Sequence, residues 1–316
     1  MSSKPIVVDP IGGQAVIEGV MMRSNAGVSM AVRVPAGHIE VRYLPVRPWR
    51  ERYPLLRMPF LRGIATLIES LLIGFRMLEE SANLAVAEPR PTKQSAGGMA
   101  LSLALGLAIA ICLFVIAPAW LYTSLPAAWN APLRSLIEGG VRLGIFVLYI
   151  VAVGFLQEMQ RIFEYHGAEH QTIRCYEAGK PLEVANARVM SPLHPRCGTS
   201  FLLLTLLVGI VVFSFLPRDL PLWARAISKL GLLPVVAGFS YELIRLAGKA
   251  SREGASASWG ARLVLLVTVP GLWLQYLTTR PARDEMLEVA IASLKRALVG
   301  NNEPLSVQPG DNITHP

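Results

Sequence analysis

Two periods govern the apolar residues of this chain. From Val28 to Leu44 they alternate with polar ones: Val28, Met30, Val32 and Val34 share one side, Pro35, Ala36 and Gly37 supply a turn, and Ile39, Val41 and Tyr43 are answered by Glu40 and Arg42. A period of two belongs to a strand, so the segment predicts a β-hairpin with one wet face. With the glycine-bearing run from Ile11 to Met22, it predicts a small antiparallel β unit over roughly residues 6–47.

Over residues 59–87 the period lengthens. Arg62, Glu69 and Arg76 recur every seven residues, while Ile64, Leu67, Ile68, Leu71, Leu72 and Phe75 form an apolar side. Charges at its centre argue against a span, so this is an amphipathic helix lying along a membrane or packed beneath it. A polar linker, 88–98, follows. Beyond it come apolar runs at about Met99–Leu121, Val141–Met159, Thr199–Leu216, Leu230–Leu246 and Trp259–Leu277. Each approaches the ~20 residues that cross ~30 Å of hydrocarbon. Pro270 and Gly271 interrupt the last, which is expected to kink or re-enter, so the count is four or five spans. After Pro281, Asp284 is placed to cap a helix carrying Leu287, Ile291, Leu294 and Leu298, with Gly300 at its end. Residues 301–316 read as a disordered tail.

Of 316 residues, 53% are hydrophobic and 16% charged, and the mean hydropathy is +0.44. One soluble core of this size holds less apolar material than that, and disorder, collagen and a disulfide scaffold are excluded. The expected fold class is an α-helical polytopic membrane protein of four or five spans, with a small cytoplasmic antiparallel β unit at the N-terminus and amphipathic helices. Its parts read as a β-rich unit (1–58), an amphipathic helix and linker (59–98), a transmembrane bundle (99–278) with a metal-site loop (160–198), an amphipathic C-terminal helix (279–300) and the tail.

The net charge of +8 is uneven, with nine Lys and Arg against four acids in residues 1–62. Aromatic interleaving is sparse and membrane runs follow. The excess therefore reads as the positive-inside signature of a cytoplasmic N-terminus touching the lipid bilayer, and no nucleic-acid partner is expected. Pro5, Asp9, Pro10, Gly12 and Gly13 stand where the apolar region of a signal peptide would be, so none is expected. Two spans return the chain to the cytoplasm, where 160–198 carries Arg161, Arg174, Lys180, Arg188 and Arg196. Five full spans would put Arg280, Arg283, Lys295 and Arg296 outside, against the same rule, and the loop 217–229 carries Arg218, Arg225 and Lys229. The expected location is a cell inner membrane. Three cysteines make no disulfide framework, and Cys175 and Cys197 read as packing residues or metal ligands in a reducing compartment.

Chemistry concentrates in that same segment, which holds three of the five histidines. On a helix at ~100° per residue, His166, Glu169 and His170 fall within roughly 100° of one another. The spacing H-x-x-E-H is that of the inverzincin metallopeptidases, in which paired imidazoles hold zinc and the carboxylate is the base. His194 and Cys197 follow on a segment that Pro195 and Gly198 keep out of regular structure, and both can turn to one metal. Cys175 lies about 180° from His166 if the helix is unbroken, and joins only if the helix ends before Tyr176. Three arrangements fit: plain polar-face histidines, a closed structural His3Cys site, or a catalytic site with three protein ligands and an open position.

Further candidates stand apart. Glu242 lies inside an apolar run, where an ionisable group costs ~2.5–3.5 kcal/mol to insert. It either pairs with Arg245 at i+3 or is left for the metal when Arg245 snorkels away. Glu18 is a charge in an apolar, glycine-rich strand, exposed on a sheet face or crowded against another element. G-x-G-x-x-G is absent, so no dinucleotide fingerprint is present.

The runs GGQAVIEGVMMR (12–23), RGIATLIESLLIG (62–74), EYHGAEHQTIRCYEAGK (164–180), HPRCGTSFLLL (194–204), SYELIRLAGK (240–249) and PGLWLQYLTTR (270–280) closely resemble the bacterial YqhQ family. That is a domain-of-unknown-function family described as a predicted metal-dependent membrane enzyme. The resemblance extends from Gly12 to about Leu298 and implies a metal region at His166, Glu169, His170, His194 and Cys197. One departure is Gln171, where the resemblance implies Lys. The leading expectation is a divalent metal, zinc by its donors, serving hydrolysis: His166, His170 and His194 as ligands, Cys197 as a fourth ligand or supporting group, and Glu169 as base. The alternatives are a membrane scaffold or assembly factor with a structural metal site, or a transporter using Glu242, Arg245 and the Pro270–Gly271 break.

Overall fold

The computed structural model describes residues 11–86, 96–126, 128–217, 219–253 and 259–300. Residues 6–10 of the expected β unit, most of the linker and the 301–316 tail lie outside them. The alternating segment is a four-stranded antiparallel meander of β1 (Gly12–Val16), β2 (Gly19–Arg23), β3 (Val28–Arg33) and β4 (Ile39–Leu44), in that spatial order. The expected wet face is found only on the outer strand, β4. Met30 stands opposite Arg42 and Val32 opposite Glu40, while Ala31 stands opposite Val41. The apolar stripes of β3 and β4 therefore lie on opposite faces, and each face of the sheet is covered by helices.

Helix α1 (Trp49–Arg52) and a 3-10 turn, Pro54–Arg57, lead into α2 (Leu61–Leu84), the expected amphipathic helix. Met77 of α2 packs on Val16, Met21, Val28, Met30 and Val32, one face of the sheet. The Ser81 hydroxyl accepts the Ile17 N–H at 3.2 Å. At its other end, Gly63 meets Tyr241.

The bundle contains α3 (Ala96–Ile111), a π-helical turn (Cys112–Ile116), α4 (Ala117–Ser124), α5 (Ala131–Val153), α6 (Gln157–Glu177), α7 (Val184–Arg188), α8 (Gly198–Ser214), α9 (Leu222–Glu253) and α10 (Trp259–Thr278). Among the described residues, three helical stretches are long and apolar enough to cross a membrane: Ala104–Ser124, Ala131–Val153 and Leu222–Ala247. The apolar α8 is shorter, at 17 residues. α10 runs unbroken through Pro270 and Gly271, with Gly271 pressed on Ser200.

Two boundaries differ from the apolar runs in a telling way. α5 begins at Ala131 and takes in Arg134, Glu138 and Arg142, and α9 begins at Leu222 and takes in Arg225 and Lys229. These side chains are buried, and Glu138 pairs with both Arg142 and Lys229. Arg225 and Lys229 thus belong to a helix interior, and carry no positive-inside information.

α11 (Asp284–Val299) closes the chain. Asp284 is its first residue rather than its cap, and pairs with Arg188 of α7. Gly300, at φ +71°, ends it as expected. Met286, Leu287, Ala290 and Leu294 share one core with Val20, Met22 and Ala31 of the sheet and Tyr165, Ala168 and Ile173 of α6. Each such Leu or Met contributes about 1.5–3 kcal/mol by leaving water. That core carries the candidate site on its bundle side.

Candidate metal centre

Helix α6 is continuous, so the helical spacing holds and His166, Glu169 and His170 share one face. Between the histidines, Gly167 leaves room for the backbone after α10: a Cβ there would overlap the Arg280 carbonyl oxygen. Gln171 locks the same crossing, its Oε1 accepting the Ala282 N–H at 3.0 Å and its Nε2 donating to the Arg188 carbonyl at 3.1 Å. It is a packing clamp with no part in the ligand set.

Both imidazoles are aimed by backbone carbonyls. His166 Nδ1 lies 2.9 Å from the Thr278 oxygen and His170 Nδ1 lies 2.5 Å from the Pro192 oxygen. A carbonyl only accepts, so each Nδ1 carries a proton, and the neutral ring then keeps its lone pair on Nε2. Those lone pairs converge. His166 Nε2 is 3.2 Å from Cys197 Sγ, and the ligating atoms of His166, His170 and Cys197 all lie within 4.8 Å of one another. Two ligands on one tetrahedral zinc stand roughly 3.5 Å apart; His166 and Cys197 are near that separation, and the third donor lies within 4.8 Å of both. Cys197 caps α8, where its sulfur accepts the Thr199 N–H at 3.4 Å. Burial foremost pushes His170 below the usual imidazole range, opposed by Cys197, and this favours the neutral form that ligates.

His194 stands beside this trio and does not enter it. Its ring centroid is 5.6 Å from that of His170, but Nε2 faces Glu177 Oε2 at 3.1 Å and Nδ1 accepts the Arg196 N–H at 3.3 Å. Arg196 also pairs with Glu177. The backbone of His194 is held from α10 by Gln275, which accepts its N–H and donates to its carbonyl, each at 2.8 Å. Sequence spacing groups His194 with the ligands. What turns it away is Glu177 at the end of α6 and Gln275 on a distant helix, neither of which its own neighbours announce.

Glu169 is 5% exposed and lies under β1, against Gly13. Burial pushes its carboxyl above the usual range, and the imidazoles of His166 and His194 oppose that shift. Cys175 faces away, buried in the core with its thiol donating to the Pro181 carbonyl at 3.4 Å. Glu18 occupies the β1–β2 turn at φ +54°, where Arg161 clasps both its oxygens. Tyr165 is 3.4 Å from the second oxygen. Glu242 is likewise held by both nitrogens of Arg62, at 2.7 and 2.5 Å, with Arg245 at 3.7 Å. Neither acid reaches the histidines. The expected partner Arg245 is the weaker one; Arg62 comes from a different helix, a pairing that no local pattern carries.

A family described as "Protein of unknown function (DUF1385)" matches residues 58–299. The "Uncharacterized protein YqhQ" of Bacillus subtilis (strain 168) is 36% identical over 330 residues, covering 98% of this chain and 99% of that protein. No solved structure matches. With three quarters of its length under the family match, the chain belongs to the DUF1385 family, and the YqhQ likeness read from its motifs holds over nearly the full length of both chains.

Proposed function

We propose that this protein is a metal-dependent membrane enzyme, a hydrolase working where the bundle meets the sheet and α11. The observation that carries the reading is the orientation of two imidazoles: Thr278 and Pro192 take their Nδ1 protons, so that both Nε2 lone pairs meet Cys197. Three donors rather than four among the described residues, with His194 turned to Glu177, support a site with an open position over a closed structural one. The donor set suits zinc. A divalent ion bound there supplies Lewis acidity and acidifies water. Glu169 takes the proton of the attacking water and returns it to the leaving group, and Gly13 and His194 hold that carboxylate's surroundings. The bond attacked is a peptide, lipid or phosphoester bond presented at the membrane face.

Packing also bears on topology. The sheet, α6 and α11 share one core, so they lie on one side of the membrane and the chain crosses an even number of times. α8 leads away from that side, since α9 begins beside Tyr122 at the end of α4. One of α9 and α10 must return, and α9 has the length and composition. We read this as four crossings, with α9 assigned as the returning one. It also puts Arg280, Arg283, Lys295 and Arg296 on the same side as the N-terminal sheet, the cytoplasmic side of an inner membrane by the positive-inside rule.

The scaffold reading rests on the same cluster, which ties α6 to α10 and to the segment before α8. Elemental analysis of the protein purified without added metal tests both. Zinc near one equivalent, lost in His170→Ala and Cys197→Ser, is the expected result. Metal-free wild type that gains none on incubation with zinc would overturn either reading.

A further inference from the structure

At the end of the bundle farthest from His166, roughly 25 Å along α8, four cations are buried. Arg134 and Arg142 come from α5, Arg225 and Lys229 from α9, and none is more than 8% exposed. Glu138 is the buried carboxylate that faces them. It takes Arg142 at 2.7 Å and Lys229 beside it. The segments 112–156 and 198–241 hold one further acid, Asp219, which is exposed. Carboxylates therefore leave the cluster strongly positive.

Dipoles supply part of the compensation. Arg134 donates to the Tyr122 carbonyl at 2.5 Å, Arg142 to the Phe114 carbonyl in the π turn at 2.8 Å, and Arg225 to the Pro217 carbonyl at 2.7 Å. The guanidinium groups of Arg225 and Arg134 share the Tyr122 ring, at 3.6 and 4.4 Å. Against these, the N-terminal ends of α5 and α9 add positive potential at the same place. Arg134 Nε is buried with no hydrogen-bond partner among the described residues, a donor still lacking an acceptor. The helix ends there expose Trp120, Trp129 and Trp223. Tryptophans at one level mark the headgroup region of a bilayer.

We propose that Arg134, in the field of Arg142, Arg225 and Lys229, seats a phosphate-class oxyanion, carried by an anionic lipid headgroup of the leaflet opposite the histidines or supplied free. Headgroup oxygens meet Arg134 first, one turn into α5 at the tryptophan level. Arg142, Arg225 and Lys229 behind it provide the field, and Glu138 keeps the two deepest cations apart from the ligand. A planar guanidinium suits a phosphate oxygen pair better than a point charge does, which fits an arginine at the contact position. The site is independent of the metal centre.

The test uses the full chain in neutral detergent, at matched ionic strength. Thermal unfolding is followed against added phosphatidylglycerol, phosphatidylcholine and inorganic phosphate. Saturable stabilisation by phosphatidylglycerol and not phosphatidylcholine is expected for a lipid source; an equal response to inorganic phosphate assigns a free oxyanion. Arg134→Gln should weaken the apparent affinity about tenfold, the scale of one charge-assisted hydrogen bond. Glu138→Gln should strengthen it, and this opposite sign decides the matter if Arg134→Gln does not fold. Wild type that responds saturably to neither anion, or an Arg134→Gln variant with unchanged affinity, overturns the proposal.

Discussion

Gly13 in β1 and Glu169 in α6 face each other so closely that a Cβ on Gly13 would lie 2.8 Å from both Cγ and Oε1 of the glutamate. The first strand of the sheet is thus the cover of the buried carboxylate. A methyl group at Gly13 meets side-chain atoms only, from Cγ to Oε1, so the whole buried glutamate side chain must shift. Gly13→Ala should therefore cost about 1–2 kcal/mol in stability, the lower part of the overpacking range, leave bound metal unchanged and yet impair function. Complementation of a deletion phenotype, beside Tm and metal content, checks this. Full complementation would show that Glu169 tolerates displacement and separate Gly13 from the site.

Glu169→Gln isolates the base. It keeps size and burial, removes the proton acceptor and spares His166, His170 and Cys197. Metal, Tm and membrane insertion should persist while complementation fails, since a general base accounts for roughly 10²–10⁴-fold in rate. Full complementation by Glu169→Gln, with His170→Ala failing through lost stability, would favour the scaffold.

Gly167→Ala should do the opposite, harming the fold before the chemistry. The atom it would strike is the Arg280 carbonyl oxygen, part of a backbone that also accepts restraint from Phe163 through the Arg280 N–H at 3.0 Å. The cost should reach the ~3 kcal/mol upper end of overpacking. Gly140, in α5 with open space around it, is the control, and Gly140→Ala should be neutral or stabilising. Equal Tm values for the two variants would refute the crossing as described.

What the chain's local pattern carried is what helix and strand periods can carry. The i, i+3, i+4 spacing of His166, Glu169 and His170 fixes one face whatever the surroundings, and Cys197 sits where Pro195 and Gly198 free it to turn inward. Cys175 followed the same geometry to the other face. Contacts between distant elements escaped: Gln275 and Glu177 that turn His194 aside, and α11 that covers the second face of β3. The buried basic cluster escaped for a related reason. Hydropathy counts Arg134, Glu138, Arg142, Arg225 and Lys229 against a span, because it cannot know that they are buried and that Glu138 pairs with Arg142 and Lys229. Their four-residue steps along α5 and α9 were the one available signal.

The pair Arg62 and Glu242 joins the amphipathic α2 to α9 through two parallel N–H···O contacts, 2.7 and 2.5 Å long, with both side chains less than one quarter exposed. A bidentate pair in this setting should couple strongly, whereas a surface pair contributes about 0–1 kcal/mol. Arg62→Gln and Glu242→Gln should each lower stability, and Glu242→Gln the more, because it strands the guanidinium beside an apolar run. The double variant should be little worse than either single one, a coupling of about 1–3 kcal/mol. Thermal or denaturant unfolding in one detergent measures all four corners of the cycle. Additive losses would mean that α2 is held by its apolar contacts, Gly63 on Tyr241 and Phe60 on Phe239, and that the ion pair only decorates the junction. Restoration of stability by exchanging the charges, Arg62→Glu with Glu242→Arg, would locate the energy in the pair itself.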